Sequence, residues 1–154
     1  MMDDILHQHI DAIPVRHKRG HAGYEYRRRD LVPFKQAGFA AALYEIPPGK
    51  AAYPYHYHVK NEELFYILSG CGTLRTPQGE RAVQAGDVLY FPANERGAHK
   101  LSNTGTETLA YLDFGTLHDL DAAFYPDSNK IGVWGMGINK VYLADDNVGY
   151  YEGE

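Results

Sequence analysis

The chain has 154 residues, 44% hydrophobic and 23% charged, which fits one globular domain able to bury a core unaided. A net charge of −5, from 15 basic and 20 acidic residues, excludes the basic footprint of a nucleic-acid binder. The single cysteine, Cys71, excludes an intrachain disulfide, and no apolar run approaches the length of a membrane helix.

Residues 1–38 read as an N-terminal arm. Its start, MMDDILHQHIDAI, lacks the basic and apolar regions of a signal peptide, and with one free cysteine this leads us to expect a cytoplasmic protein without a membrane partner. A helical turn is expected near residues 5–13, stopped by Pro14. Arg16, Lys18, Arg19, Arg27, Arg28 and Arg29 are read as the solvated charges of this arm. From Phe39 the texture changes to short apolar runs bounded by turn residues. Strands are expected at 39–46, 53–58, 63–68, 71–75, 81–84, 88–91, 98–101 and 108–114, separated by breakers such as Pro47-Pro48-Gly49, Ser69-Gly70 and Ala85-Gly86-Asp87. So many short strands at even spacing predict an all-β sandwich or barrel over 39–115. Residues 116–154 read as an irregular C-terminal extension packing on the barrel, with a helical turn at 119–124 and a glycine-rich loop around Trp134.

The stretch from Gly49 to Gly70 carries the chemistry. His56 and His58 are two residues apart, so on a strand both side chains point to one face. Glu63 follows after a turn-length gap and shares its parity with Phe65 and Ile67, whereas Glu62 faces the other way. His99 opens a later strand, on the face of Leu101. Three imidazoles and a carboxylate make a plausible divalent-metal set for Zn, Mn, Fe, Ni or Co, with positions left open; a pair of surface histidines on an edge strand is the competing reading. His7, His9, His17, His21 and His118 lack partners at ligand spacing and are expected at the surface. Tyr55 and Tyr57 should face away from His56 and His58, and Cys71 is expected to be a small buried residue. Arg75 and Arg96 are candidates to bind an anionic substrate.

The run His56-x-His58-x4-Glu63-x6-Gly70 resembles the first signature motif of the cupin superfamily, and Gly86-x5-Pro92 through His99-x3-Asn103 resembles the second. The turn from Pro92 to His99 is two residues longer than the usual pattern. The resemblance covers roughly 40–115 and extends weakly to Tyr125-Pro-Asp-Ser-Asn-Lys130, which is similar to a tail of some small single-domain cupins. It implies a double-stranded β-helix, a small jelly-roll barrel, with one divalent metal on His56, His58, Glu63 and His99. It also implies a small-molecule ligand and a homodimer. The activities it suggests are isomerase or epimerase, decarboxylase, lyase or dioxygenase, and the alternative is a metal-bearing binding or sensory module without turnover. No catalytic residue beyond the metal set is identifiable from the sequence.

Overall fold

The structure, a computed structural model, describes residues 5–32 and 38–154, so part of the N-terminal arm, 1–4 and 33–37, lies outside the described residues. The described residues form thirteen strands and two short 3-10 turns: β1 (Arg16–His21), β2 (Tyr24–Asp30), β3 (Phe39–Ile46), β4 (Tyr57–His58), β5 (Glu63–Ser69), β6 (Cys71–Thr76), β7 (Gly79–Gln84), β8 (Val88–Phe91), β9 (Lys100–Ser102), β10 (Leu109–Thr116), β11 (Leu120–Tyr125), β12 (Lys130–Gly135) and β13 (Ile138–Leu143). A six-stranded sheet in the order β1-β2-β3-β10-β5-β8 is joined by a sheet β7-β6-β9 and a sheet β13-β12-β11-β4. This is a double-stranded β-helix of the jelly-roll kind, as the cupin resemblance implies and in keeping with the all-β barrel that the strand spacing predicts. No helix among the described residues is long and apolar enough to cross a membrane.

Period-two patterning sets the inner face. Along β5, Phe65 and Ile67 are buried while Leu64, Tyr66 and Leu68 are exposed. Antiparallel partners share a face, so register lines up inward rows across the large sheet. One row holds Ile67, Tyr111, Tyr44 and Arg28, the next Phe65, Asp113, Ala42 and Asp30, and the next Glu63, Gly115 and Ala40. The first row fills the barrel with large side chains, Tyr44 stacking on Tyr111 at 5.2 Å. The other two contain Ala42, Ala40 and Gly115, which are too small to fill the space, and a cavity opens there.

Four local expectations fail, each for a physical reason. The strand expected at 53–58 shrinks to Tyr57–His58, because Pro54 has no N–H to donate and His56 makes only an isolated bridge. The helical turn expected at 119–124 is β11. Its buried Asp121 and Ala123 alternate with more exposed neighbours, a strand pattern masked by the polar Asp121. The expected loop around Trp134 is β12, where Gly132 leaves space for the Trp134 ring. Cys71 is exposed, because Gly72 and Leu74 take the inward positions of β6. The expected turn near 5–13 is a single 3-10 turn, Ile10–Ala12. The arm also contains β1 and β2, and β2 extends the main sheet by pairing with β3. His7, His9, His17, His21 and His118 are exposed, as expected.

Candidate metal centre

The two histidine-bearing segments are tied by their backbones. His56 and His99 exchange reciprocal N–H to carbonyl bonds of 3.1 and 2.9 Å. The two extra residues before His99 are absorbed by a 3-10 turn, Glu95–Gly97, started by Asn94 at φ 83°. Gly97 packs so closely on the Pro92 carbonyl that a Cβ would collide with it. The longer turn therefore delivers His99 opposite His56.

The four side chains singled out in the sequence meet at one point. The Nε2 atoms of His99, His58 and His56 lie 3.3, 3.6 and 4.0 Å from Glu63 Oε2. Each ring has its other nitrogen occupied. His56 Nδ1 donates to Pro54 O at 2.8 Å, His99 Nδ1 to Gly97 O at 2.8 Å, and His58 Nδ1 to Asp121 Oδ2 at 2.6 Å. A carbonyl can only accept, so in His56 and His99 the proton sits on Nδ1 and the neutral ring presents a lone pair at Nε2. His99 Nε2 and Glu63 Oε2 are both buried with no hydrogen-bond partner. A buried carboxylate oxygen facing imidazole lone pairs is costly unless a cation satisfies them. The donor atoms of His56, His58 and Glu63 lie within 4.8 Å of one another and could hold a metal ion. Glu62 faces outward and accepts from Tyr90 Oη.

Burial and neighbouring charge sort the three imidazoles. Burial pushes His56 down to about 4, helped by the nearby His99. Burial also holds His99 below the ordinary histidine value. His58 is pushed down by burial too, but the Asp121 hydrogen bond and the charges of Glu63 and Asp121 outweigh this and raise it. Asp121 is lowered in turn: its bonds from His58 and from the Lys60 and Asn61 amides outweigh the effect of burial.

The centre forms the floor of a cavity of about 260 Å³. Its walls include Tyr125, which stacks on His56 at 5.7 Å, and Trp134. That volume lies below the ~300–1,000 Å³ of sites for drug-sized ligands and suits a small metabolite. Tyr55 and Tyr57 face away, as expected: Tyr55 lies under the Arg75 guanidinium and Tyr57 stacks on Phe124. Arg75 pairs with Asp127 and Arg96 packs against Asn94, so neither lines the cavity.

The Cupin domain family matches residues 42–115. A solved structure of a candidate sugar phosphate isomerase from Acidithiobacillus ferrooxidans is 30% identical, with a TM-score of 0.78 and 93% of both chains covered. The chain belongs to the cupin superfamily. A sugar phosphate isomerase of that superfamily from Silicibacter pomeroyi shares the fold at 21% identity, with a TM-score of 0.81 over 92% of this cupin and 94% of that chain. An oxalate-binding protein from Thermotoga maritima is 32% identical over 71 residues, 46% of this cupin and 56% of that protein. This cupin thus spans about half the length of the curated relatives it matches.

Sequence reasoning missed three site residues. Asp121 was placed in a helical turn, yet it orients His58. Asp113 lines the cavity, and its signal was present: it shares the parity of the buried Leu109 and Tyr111, so it is a carboxylate on the inward face of a strand. Arg28, read as a solvated charge, lines the cavity because it pairs in register with the buried Tyr44 of β3, while Arg27 stays exposed.

The His58–Asp121 pair gives stability a defined pH window in metal-free protein. Asp121, lowered in the fold, contributes above its unfolded value of about 3.9, and that contribution is lost as pH falls through its folded value. His58, raised in the fold, contributes below about 6.5, and that contribution is lost as pH rises through its folded value. Asp121→Asn should therefore destabilise chelator-treated protein most between about pH 4 and 6.5, by about 1.5–3 kcal/mol, and less on either side. Urea unfolding of both proteins from pH 4 to 9 checks this; a difference that is constant across the range contradicts it.

Proposed function

We propose that this cupin holds one divalent transition metal per chain, Zn, Mn, Fe, Ni or Co, on Nε2 of His56, His58 and His99 and a carboxylate oxygen of Glu63. We further propose that it is a metal-dependent enzyme acting on a small polar metabolite, with Asp113 as its acid–base group. The observation that carries the metal site is the buried, partnerless pair of Glu63 Oε2 and His99 Nε2, surrounded by rings whose protons are engaged on the far side. Four protein ligands leave room for substrate oxygen on such an ion, which would supply Lewis-acid polarisation of a carbonyl or carboxylate.

The rest of the chemistry belongs to the chain. Asp113 stands one inward row from Glu63, with Ala42 beside it, and lines the cavity. Burial raises it well above the usual carboxylate range, with the charge of Glu63 adding to the effect and Arg28 and His58 opposing it. A carboxyl kept protonated in an apolar wall can donate a proton to a substrate oxygen and take one back. Tyr125 and Trp134 line the same space. Proton transfer beside a polarised carbonyl is isomerase chemistry, and the 30% identity to the candidate sugar phosphate isomerase favours that class over decarboxylase, lyase or dioxygenase. The second reading, a binding module without turnover, is favoured by the likeness to the oxalate-binding protein.

Elemental analysis after dialysis should find near-stoichiometric metal in wild type and Glu62→Ala, and little in His58→Ala or Glu63→Ala. Full occupancy in His58→Ala contradicts the site. In a screen of sugar phosphates and small dicarboxylates, Asp113→Asn should retain metal and lose about 10²-fold or more in turnover. Metal and ligand binding without turnover in wild type would establish the binding module instead.

The reading includes a homodimer. Leu64, Tyr66 and Leu68 on β5 and Val88 and Tyr90 on the edge strand β8 form an exposed apolar face suited to a second copy of the chain. Sedimentation equilibrium at micromolar concentration should give twice 17.3 kDa; a 17.3 kDa species contradicts it.

A further inference from the structure

The loop that joins His58 to Glu63 is laced to the end of β10 and the residues after it. Thr116 N–H donates to Glu62 O at 3.0 Å, and Glu62 N–H donates to Thr116 Oγ1 at 2.9 Å. One residue earlier, the Asn61 side-chain oxygen accepts from His118 N–H at 3.2 Å, and His118 Nδ1 lies 2.8 Å from the same atom. Asn61 N–H is directed at Asp121 Oδ1, 3.4 Å away, on the carboxylate that orients His58. Asn61 is therefore held through both its backbone and its side chain.

These contacts also settle which way the amide faces. A backbone N–H can only donate, so the amide atom on His118 is the oxygen, and the nitrogen is turned away from it. Asn61 lines the cavity beside His58 and Glu63, whereas His118 does not. Among the described residues no acceptor takes either N–H of Asn61 Nδ2. That nitrogen is not one of the polar atoms sealed in the interior without a partner, so it stays open to a ligand. A side chain already fixed through its oxygen offers two oriented donors with little ordering left to lose when a ligand arrives.

We propose that Asn61 is a specificity-determining residue of this pocket. Its Nδ2 donates to a hydroxyl oxygen on the carbon next to the ligand's carbonyl or carboxylate group, the group that reaches the histidine–glutamate floor. The ligand class is thus α-hydroxy carbonyl compounds and α-hydroxy acids. This rests on reading the cavity as the substrate site and deepens it by naming the ligand class. Asn61 follows His58 by three residues and precedes Glu63 by two, so its donor stands beside the floor, where two adjacent oxygens of one small molecule meet both. An analogue without the hydroxyl displaces water from Nδ2 and leaves the donor unpaired, which is how such a contact discriminates.

Trp134 is the only tryptophan and lines the cavity, so its fluorescence reports binding there. The probes are glycolate and acetate, which differ by one hydroxyl, titrated at matched ionic strength into metal-loaded protein. Wild type should bind glycolate about fivefold or more tightly than acetate. Asn61→Ala should lower that ratio about fivefold and leave the acetate affinity within about twofold of wild type. A purely structural role for Asn61 would weaken both acids together and keep the ratio, and that result overturns the proposal. So does a glycolate preference of wild-type size in Asn61→Ala, which would place the hydroxyl on the metal instead. If Asn61→Ala fails to fold, judged by far-UV circular dichroism, Asn61→Ser carries the test, since its hydroxyl can accept from the His118 amide but has no second donor arm. Binding of neither acid to wild type overturns this inference together with the substrate-site reading. An Asn61-dependent ratio in protein that elemental analysis finds free of metal would support this inference while sinking the metal centre, so the two can fail separately.

Discussion

Everything in the site depends on one unsatisfied atom. Glu63 Oε2 is buried, has no hydrogen-bond partner, and faces the Nε2 atoms of three histidines. Lone pairs of neutral imidazoles facing a carboxylate oxygen repel it, and burial removes the water that would relieve this. The arrangement becomes favourable when a cation sits among the donors, and burial then strengthens the attraction. The barrel strands, the reciprocal His56–His99 backbone bonds and the Pro92–Gly97 turn all hold this unfavourable cluster together.

The outer contacts matter as much as the four donors. Pro54, Gly97 and Asp121 each take the Nδ1 side of a ring, which fixes ring orientation and leaves Nε2 directed inward. Two of these acceptors are backbone carbonyls within two residues of their histidine, so they come with the local chain path. The third, Asp121, is 63 residues away from His58 and arrives only when β11 pairs with β4. The C-terminal sheet therefore helps define the centre as well as covering it, and it supplies Tyr125 and Trp134 to the cavity wall.

Fold and floor were readable in the sequence because they rest on local rules. Strand parity puts His56 with His58 and separates Glu63 from Glu62, and turn residues mark most strand ends. What the sequence hid depends on pairing between distant segments. Asp121 looked like part of a polar turn until β11 was seen to lie against β4. Arg28 looked like one of several arm charges until β2 was seen to join β3, which makes its inward parity meaningful. Asp113 was hidden only in part: parity with Leu109 and Tyr111 marks it as inward, but the cavity it meets arises from Ala42, Ala40 and Gly115 lying beside it across two strands. Arg75 and Arg96 show the converse, since an arginine near a motif need not face the site.

The cavity thus combines three separate contributions: a donor cluster from the barrel strands, a half-buried carboxyl from β10, and a guanidinium from the N-terminal hairpin. The first of these is the one on which the proposed chemistry depends: the cluster around Glu63 is proposed to bind a metal ion. X-ray absorption at the metal edge of the loaded protein tests this most directly. The account predicts a shell of imidazole nitrogens and one carboxylate oxygen at about 2.0–2.2 Å if the ion is zinc, with the outer-ring scattering of three imidazoles. A shell of oxygens alone, without imidazole scattering, would contradict it.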